Sequence, residues 1–196
     1  MKMKILFIVL GVVAVLFILF QLYFVISQKN IEKYPYKVVK SYGDFEVRNY
    51  EASLFTSVKL SNKTYKETSS QGFSILAGYI FGGNNKNEKI AMTSPVAMTI
   101  DDATTMMFLV PKKYTKESLP KPDDGNIEFT EMPAKKIAAI TFSGWANDDK
   151  IKGYKEKLIA ALNKNGIKYT NSFYFLGYNA PFELLNRKNE VIVELK

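Results

Sequence analysis

Four kinds of side chain in this sequence could carry chemistry: paired carboxylates, scattered methionines, wide aromatic rings, and cations set beside those rings. Two kinds are missing. The 196 residues contain neither histidine nor cysteine. That removes a Ser-His-Asp triad, thiolate catalysis, disulfides and zinc sites built on imidazole or thiolate. Acid–base work near neutral pH would fall to a shifted carboxylate, lysine or tyrosine. The pairs Asp101-Asp102, Asp123-Asp124 and Asp148-Asp149 stand at turns or at a helix start, where Asp satisfies backbone N–H groups. No further ligand follows at metal-site spacing, so an enzyme is not expected. Gly82-Gly83 closes a helix rather than opening one, the wrong end for cradling a phosphate.

The chemistry that remains is binding. Between Thr64 and Phe81 the apolar spacing predicts a helix whose buried face carries Tyr65, Ser69, Phe73, Leu76 and Ile80. Phe73, Leu76, Tyr79, Ile80 and Phe81 are wide apolar side chains, and Ile75 and Tyr79 lie off the buried face. A second stretch, Tyr178-Asn179-Ala180-Pro181-Phe182, runs toward Asn186-Arg187-Lys188. An apolar loop beside two cations could cover a ligand while Arg187 or Lys188 meets an anionic group. Equally, Pro181 could end a strand and Arg187 could pair with Glu183 or Glu190. Met92 and Met98, with Met106 and Met107, read first as fillers of an irregular core.

The elements that must hold these groups can be read in order. Ile5 to Ile26 is an apolar run broken only by Gln21, long enough as a helix to span roughly 33 Å. It exceeds a signal-peptide core and leaves through Tyr23-Phe24-Val25-Ile26, so residues 1–27 are expected to be an uncleaved anchor. The lipid bilayer is then a partner through residues 5–26, and the short basic head favours an extracytoplasmic or periplasmic domain. Residues 28–35 form a tether, and 36–196 one folded domain. Net charge is +8, but the lysines are spread, which suits a solvated surface and gives no nucleic-acid footprint.

Within the domain, strands are expected at 36–42, 45–48, 53–60, 90–100, 104–110, 127–132, 135–143, 169–179 and 190–195. The first helix is capped by Ser61 or Asn62. The second starts at Asn147 or Asp148 and stops at Gly166, burying Ile151, Tyr154, Leu158, Ala161 and Leu162. Lys112 to Asn126 is a proline-broken loop. Strand, helix, strand, strand recurs at 53–110 and 135–195. The fold class is α+β: two βαββ repeats packing their helices on a curved antiparallel sheet.

Gly72 to Val96, GFSILAGYIFGGNNKNEKIAMTSPV, resembles the SOUL haem-binding protein family over a long, nearly gapless stretch. The loop at 178–182 and Asn186-Arg187-Lys188-Asn189-Glu190-Val191 resemble it again. The resemblance implies a distorted eight-stranded barrel flanked by two helices, and reversible binding of haem or another tetrapyrrole in a shallow groove. That groove would use the first helix and the late loop. The site residues it implies are Ile75, Leu76, Tyr79, Ile80, Phe81, Met92, Tyr178, Pro181, Phe182, Arg187 and Lys188. Some relatives carry cations where this chain has Ser70, Ala77 and Glu183. Without histidine, an axial iron ligand could come only from Met92, Met98, a Tyr or a Lys, or be absent. Two other readings stay open. The fold also resembles bacterial effector-binding barrels, whose ligand would be a different hydrophobic molecule. A membrane-tethered protein-interaction module could use Lys112 to Asn126 or Phe182 to Leu185.

Overall fold

The computed structural model describes residues 2–27, 31–61, 64–100, 104–180, 183–184 and 186–196. The expected cap Asn62, the turn Asp101-Asp102, and the site residues Pro181 and Phe182 lie outside them. In chain order come α1 (Lys2–Ser27), β1 (Tyr36–Ser41), β2 (Glu46–Tyr50), β3 (Ser53–Leu60), α2 (Tyr65–Ile80), β4 (Val96–Thr99), β5 (Thr104–Leu109) and β6 (Ile127–Met132). There follow β7 (Lys135–Ser143), α3 (Asp148–Lys164), β8 (Tyr169–Gly177) and β9 (Lys188–Leu195).

All nine strands join one antiparallel half-barrel sheet in the order β1-β2-β7-β9-β8-β4-β5-β3-β6. The expected repeat is visible in that order. Outward from the β8–β4 junction, one half reads β8-β9-β7-β2 and the other β4-β5-β3-β6, eight strands in matching roles. The outermost strand of each half is borrowed, since β2 precedes β3 in the chain but pairs with β7, and β6 precedes β7 but pairs with β3. This exchange locks the halves together. β1 adds a ninth strand at one edge.

Strict alternation divides the side chains between two faces. One face, with Val47, Val58, Met98, Met106, Phe108, Ala138, Ile140, Phe142, Phe173, Phe175, Val191 and Val193, packs against Leu76 and Ile80 of α2 and Ile151, Leu158 and Leu162 of α3. The far face carries Tyr34, Tyr50, Phe55, Ala97, Met107, Leu109, Ile137, Ala139, Leu176 and Ile192.

Two details differ from the pattern-based expectation. Residues 90–95 are irregular and the strand begins only at Val96. Pro95 brings no N–H to a ladder, and its neighbours bond elsewhere: Ile90 N–H to Ile80 O, Ser94 N–H to Glu32 O, and Thr93 Oγ1–H to Leu109 O. The cap of α2 is Thr64, not Ser61. Its Oγ1 accepts from Glu67 N–H at 3.3 Å and donates to Glu67 Oε2 at 2.7 Å, so the glutamate returns to the cap's hydroxyl and holds it in place for the backbone.

The far face also holds a buried ion pair. Arg48 on β2 donates to both oxygens of Glu190 on β9, at 2.9 and 3.0 Å. Tyr178 Oη–H donates to Glu190 Oε2 at 2.7 Å, and Lys188 Nζ lies 3.0 Å from Oε1. Burial alone would raise the Glu190 carboxyl, but the hydrogen bonds and charge of Arg48 outweigh it, with Lys188 and Tyr178 adding, and hold it below its ordinary value.

Because the folded value is depressed, this stabilisation is complete above the ordinary carboxylate range and fades as pH falls through the folded value. Glu190→Ala leaves Arg48 only the half-exposed Glu46, 2.8 Å from its Nε, and should cost about 3 kcal/mol, the low end for breaking a buried pair, in thermal unfolding of the detergent-solubilised chain. Glu190→Gln should lose the acid limb of the parent's stability-versus-pH curve; an unchanged limb would place that titration elsewhere. Leu76→Ala, at a fully enclosed core position, should cost about 2–5 kcal/mol in the same measurement.

Candidate functional site

The residues proposed for a single groove fall in three places. Leu76 and Ile80 are enclosed between α2 and the sheet, with Ile75 and Met92 half-buried against the same core. Tyr79 is only 2% exposed, and its hydroxyl donates to Pro120 O at 2.9 Å beneath the 111–126 loop. That burial pushes the phenol up to about 12. Tyr79 faces away from solvent because the proline-broken loop covers the helix end, which period alone does not reveal. Phe81, the C-cap of α2, is exposed. Tyr178 and Lys188 lie on the opposite side of the sheet, committed to Glu190. Arg187 stands near the other end of α2. With 16 residues in the helix, its ends are about 24 Å apart, so Phe81 and Arg187 do not share a pocket.

Arg187 does belong to a built corner. The turn between β7 and α3 presents Trp145, and the Arg187 guanidinium lies 3.9 Å from the centroid of that ring system. The turn is fixed by Gly144, which takes φ +81, a conformation that costs glycine little. Buried Asn189 donates to Gly144 O at 2.8 Å. Asp148, three residues after Trp145, accepts from the backbone N–H of Tyr65 at 2.7 Å and of Lys66 at 3.4 Å. One carboxylate of α3 thus satisfies the exposed donors at the start of α2, and it brings Tyr65 to the corner. Tyr65 leans edge-on against Phe175 with ring centroids 5.1 Å apart. Its phenol is raised by burial, with the Arg187 charge opposing and Asp148 adding.

The loop between β8 and β9 completes the corner. Arg187 Nη1 donates to Glu183 O at 2.6 Å and to Ala180 O at 3.0 Å. Glu183, 5% exposed, accepts from Asn179 Nδ2 at 2.8 Å and from Ala180 N–H at 2.9 Å. Asn179 Oδ1 accepts from Lys188 N–H at 2.7 Å. Arg187 therefore serves first as a clamp on the loop. Burial draws its pKa down, with Tyr65 and Glu183 partly restoring it. Trp145 is 53% exposed and Leu184 is 49% exposed: one face of the indole rests on Arg187 and the rest is open to solvent. Sequence reasoning passed over Trp145, although the sole tryptophan, set on a turn just before a helix cap, was a signal to follow.

The donor set bears on iron. Met98 is buried in the helix-side core and Met92 packs against it, so neither thioether faces the corner. Among the described residues no cluster of three or more carboxylates could hold a metal ion. The corner presents one face of an indole, a guanidinium and an apolar edge. The far face holds a slot of about 20 Å³ between Tyr34, Phe55, Met107, Met132 and Tyr174, space for about one water.

Comparison with known proteins places the chain. It is 30% identical over 156 residues to heme-binding protein 1 of Xenopus laevis, covering 75% of this chain and 81% of that one. It is 26% identical over 158 residues to heme-binding protein 2 of Homo sapiens, covering 76% and 77%. In three dimensions it is similar to the EcmrR C-terminal domain, with a TM-score of 0.63 at 13% identity, covering 82% of this chain and 98% of that one. At that identity the likeness concerns the fold. The profile of the SOUL heme-binding proteins matches residues 31–194, and the chain belongs to the SOUL heme-binding protein family.

Proposed function

We propose that this protein is a membrane-anchored binder of haem or a related tetrapyrrole, taking the macrocycle reversibly at the corner formed by Tyr65, Trp145, Leu184 and Arg187. The observation that carries this reading is Trp145, an exposed indole backed by a cation, in a chain whose relatives are named for heme binding. A flat apolar ligand gains by covering such a ring, and stacked aromatic pairs contribute about 0.5–1.5 kcal/mol beyond buried area. Leu184 supplies an apolar edge. The side chains of Lys66 and Lys150, both exposed at the start of the two helices, are the cations available to carboxylates at the ring margin. Bound there, the tetrapyrrole brings its own flat face and acidic groups, while the protein supplies shelter and charge.

The function is holding and handing over rather than catalysis. The buried carboxylates Glu183 and Glu190 are already committed to protein donors. The helix Lys2–Gln21, 20 residues of high hydropathy with no buried residue over the apolar window, supports an anchor. Its short basic head supports a folded part on the extracytoplasmic side. Buffering or transfer of tetrapyrrole at a membrane follows from that placement.

A hemin titration of the detergent-solubilised chain, followed at the Soret band against a detergent blank, tests the site. Saturation near one equivalent is expected. Trp145→Ala should weaken binding about tenfold, the loss of one stacked ring and its buried area. Tyr79→Phe should leave affinity unchanged, because that ring is enclosed under the 111–126 loop. Equal effects from both substitutions, or none from Trp145→Ala with an unaltered melting curve, would move the site elsewhere.

A further inference from the structure

We propose that the Trp145–Leu184 corner is a membrane-contact surface, seated on the lipid headgroup layer where α1 leaves the bilayer. The inference rests on α1 being an anchor. Three observations meet at this corner. The apolar span Lys2–Gln21 is about 30 Å long as a helix, the thickness of a hydrocarbon core. Gln21, five residues before the end of the apolar run at Ile26, is 6% exposed while the residues before it are open, and its Oε1 accepts from the Leu184 backbone N–H at 3.4 Å. Leu184 therefore lies about 7–8 Å of helix rise from the level at which the apolar run ends.

The side chains at that depth suit a bilayer boundary. Beyond α1, the exposed large hydrophobic side chains among the described residues are Val38, Val39, Phe81, Trp145 and Leu184, and two of these five share this corner. Trp145 has the amphipathic ring that concentrates at headgroup level. Arg187 lies on its face, and the Lys150 amine lies against Gly144. Long cations keep their charge at phosphates while their stems lie on apolar surface. The nearest acidic groups are turned to other work: Asp148 to the α2 backbone and Glu183 to its own loop. Asp148, Asp149 and Glu67 are exposed at the same two helix starts and offset Arg187, Lys150 and Lys66, so the fit to the boundary rests on the indole and the apolar edge. A ligand dissolved in the lipid would reach the corner without crossing water.

Trp145 is the sole tryptophan, so its emission reports this surface without labelling. The full chain is reconstituted in nanodiscs of phosphatidylcholine and phosphatidylglycerol, with lipids brominated near the headgroup or near the acyl terminus. In parallel, reconstituted vesicles are washed with alkaline carbonate to test the anchor. The expected result is a carbonate-resistant chain whose emission is lost more with shallow than with deep bromines. Leu184→Asp should reduce that loss and shift the emission to the red. A carbonate-resistant chain with emission indifferent to both bromolipids would overturn the membrane contact and leave the anchor standing. Release by carbonate would overturn both.

Discussion

One carboxylate closed off from water, Glu190, governs how the rest of this molecule is held. A buried charge is tolerated only when its partners are close and its lone pairs are filled, and Glu190 meets both conditions. Arg48 approaches from β2, Thr141 from β7, Tyr178 from the end of β8 and Lys188 from the start of β9. These contacts reach across the four strands of one half-sheet. They also grip both stems of the β8–β9 loop, since Tyr178 precedes it and Lys188 ends it. Arg187 then organises the loop from within. The corner is thus positioned from the far face of the sheet, through a network that never touches it.

A second device seals that far face. Residues 31–35 run along the body of the domain, with Lys33 bridging Ser94 and Tyr34 N–H donating to Ser94 O at 3.0 Å. The Tyr34 ring packs on Tyr50 and Phe55 with centroids 4.4 and 5.1 Å away. Burial, with Tyr174 and Glu194 nearby, pushes its phenol up to about 12. Filling the far face from the segment next to α1 leaves the helix-side corner, like Phe81, as an open aromatic surface. It also leaves only a narrow slot of about 20 Å³ on the far face.

Much of the fold was legible in the chain because periodicity and caps are local signals. The 3.6-residue spacing located both helices to within a residue or two, and alternation located all nine strands. The stretch before Pro95 failed because its hydrogen bonds go to Glu32, Ile80 and Leu109, partners that no local window contains. The site was less legible for the same reason. Ile75, Leu76, Tyr79 and Ile80 have the right composition for a ligand wall, but whether a loop covers them depends on Leu119 and Pro120, forty residues on. Trp145, Tyr65 and Arg187 meet only because Asp148 and Asn189 tie three distant segments together.

The central claim is that one corner, not the far face, takes a tetrapyrrole. Hydrogen exchange on the full chain in nanodiscs, with and without protoporphyrin, tests it most directly. Slowed exchange is expected at the start of α2, across the Gly144–Asn147 turn and through the β8–β9 loop, with β1 and the 31–35 segment unchanged. Protection confined to the 31–35 segment, β2 and β8 would place the ligand on the far face and contradict it.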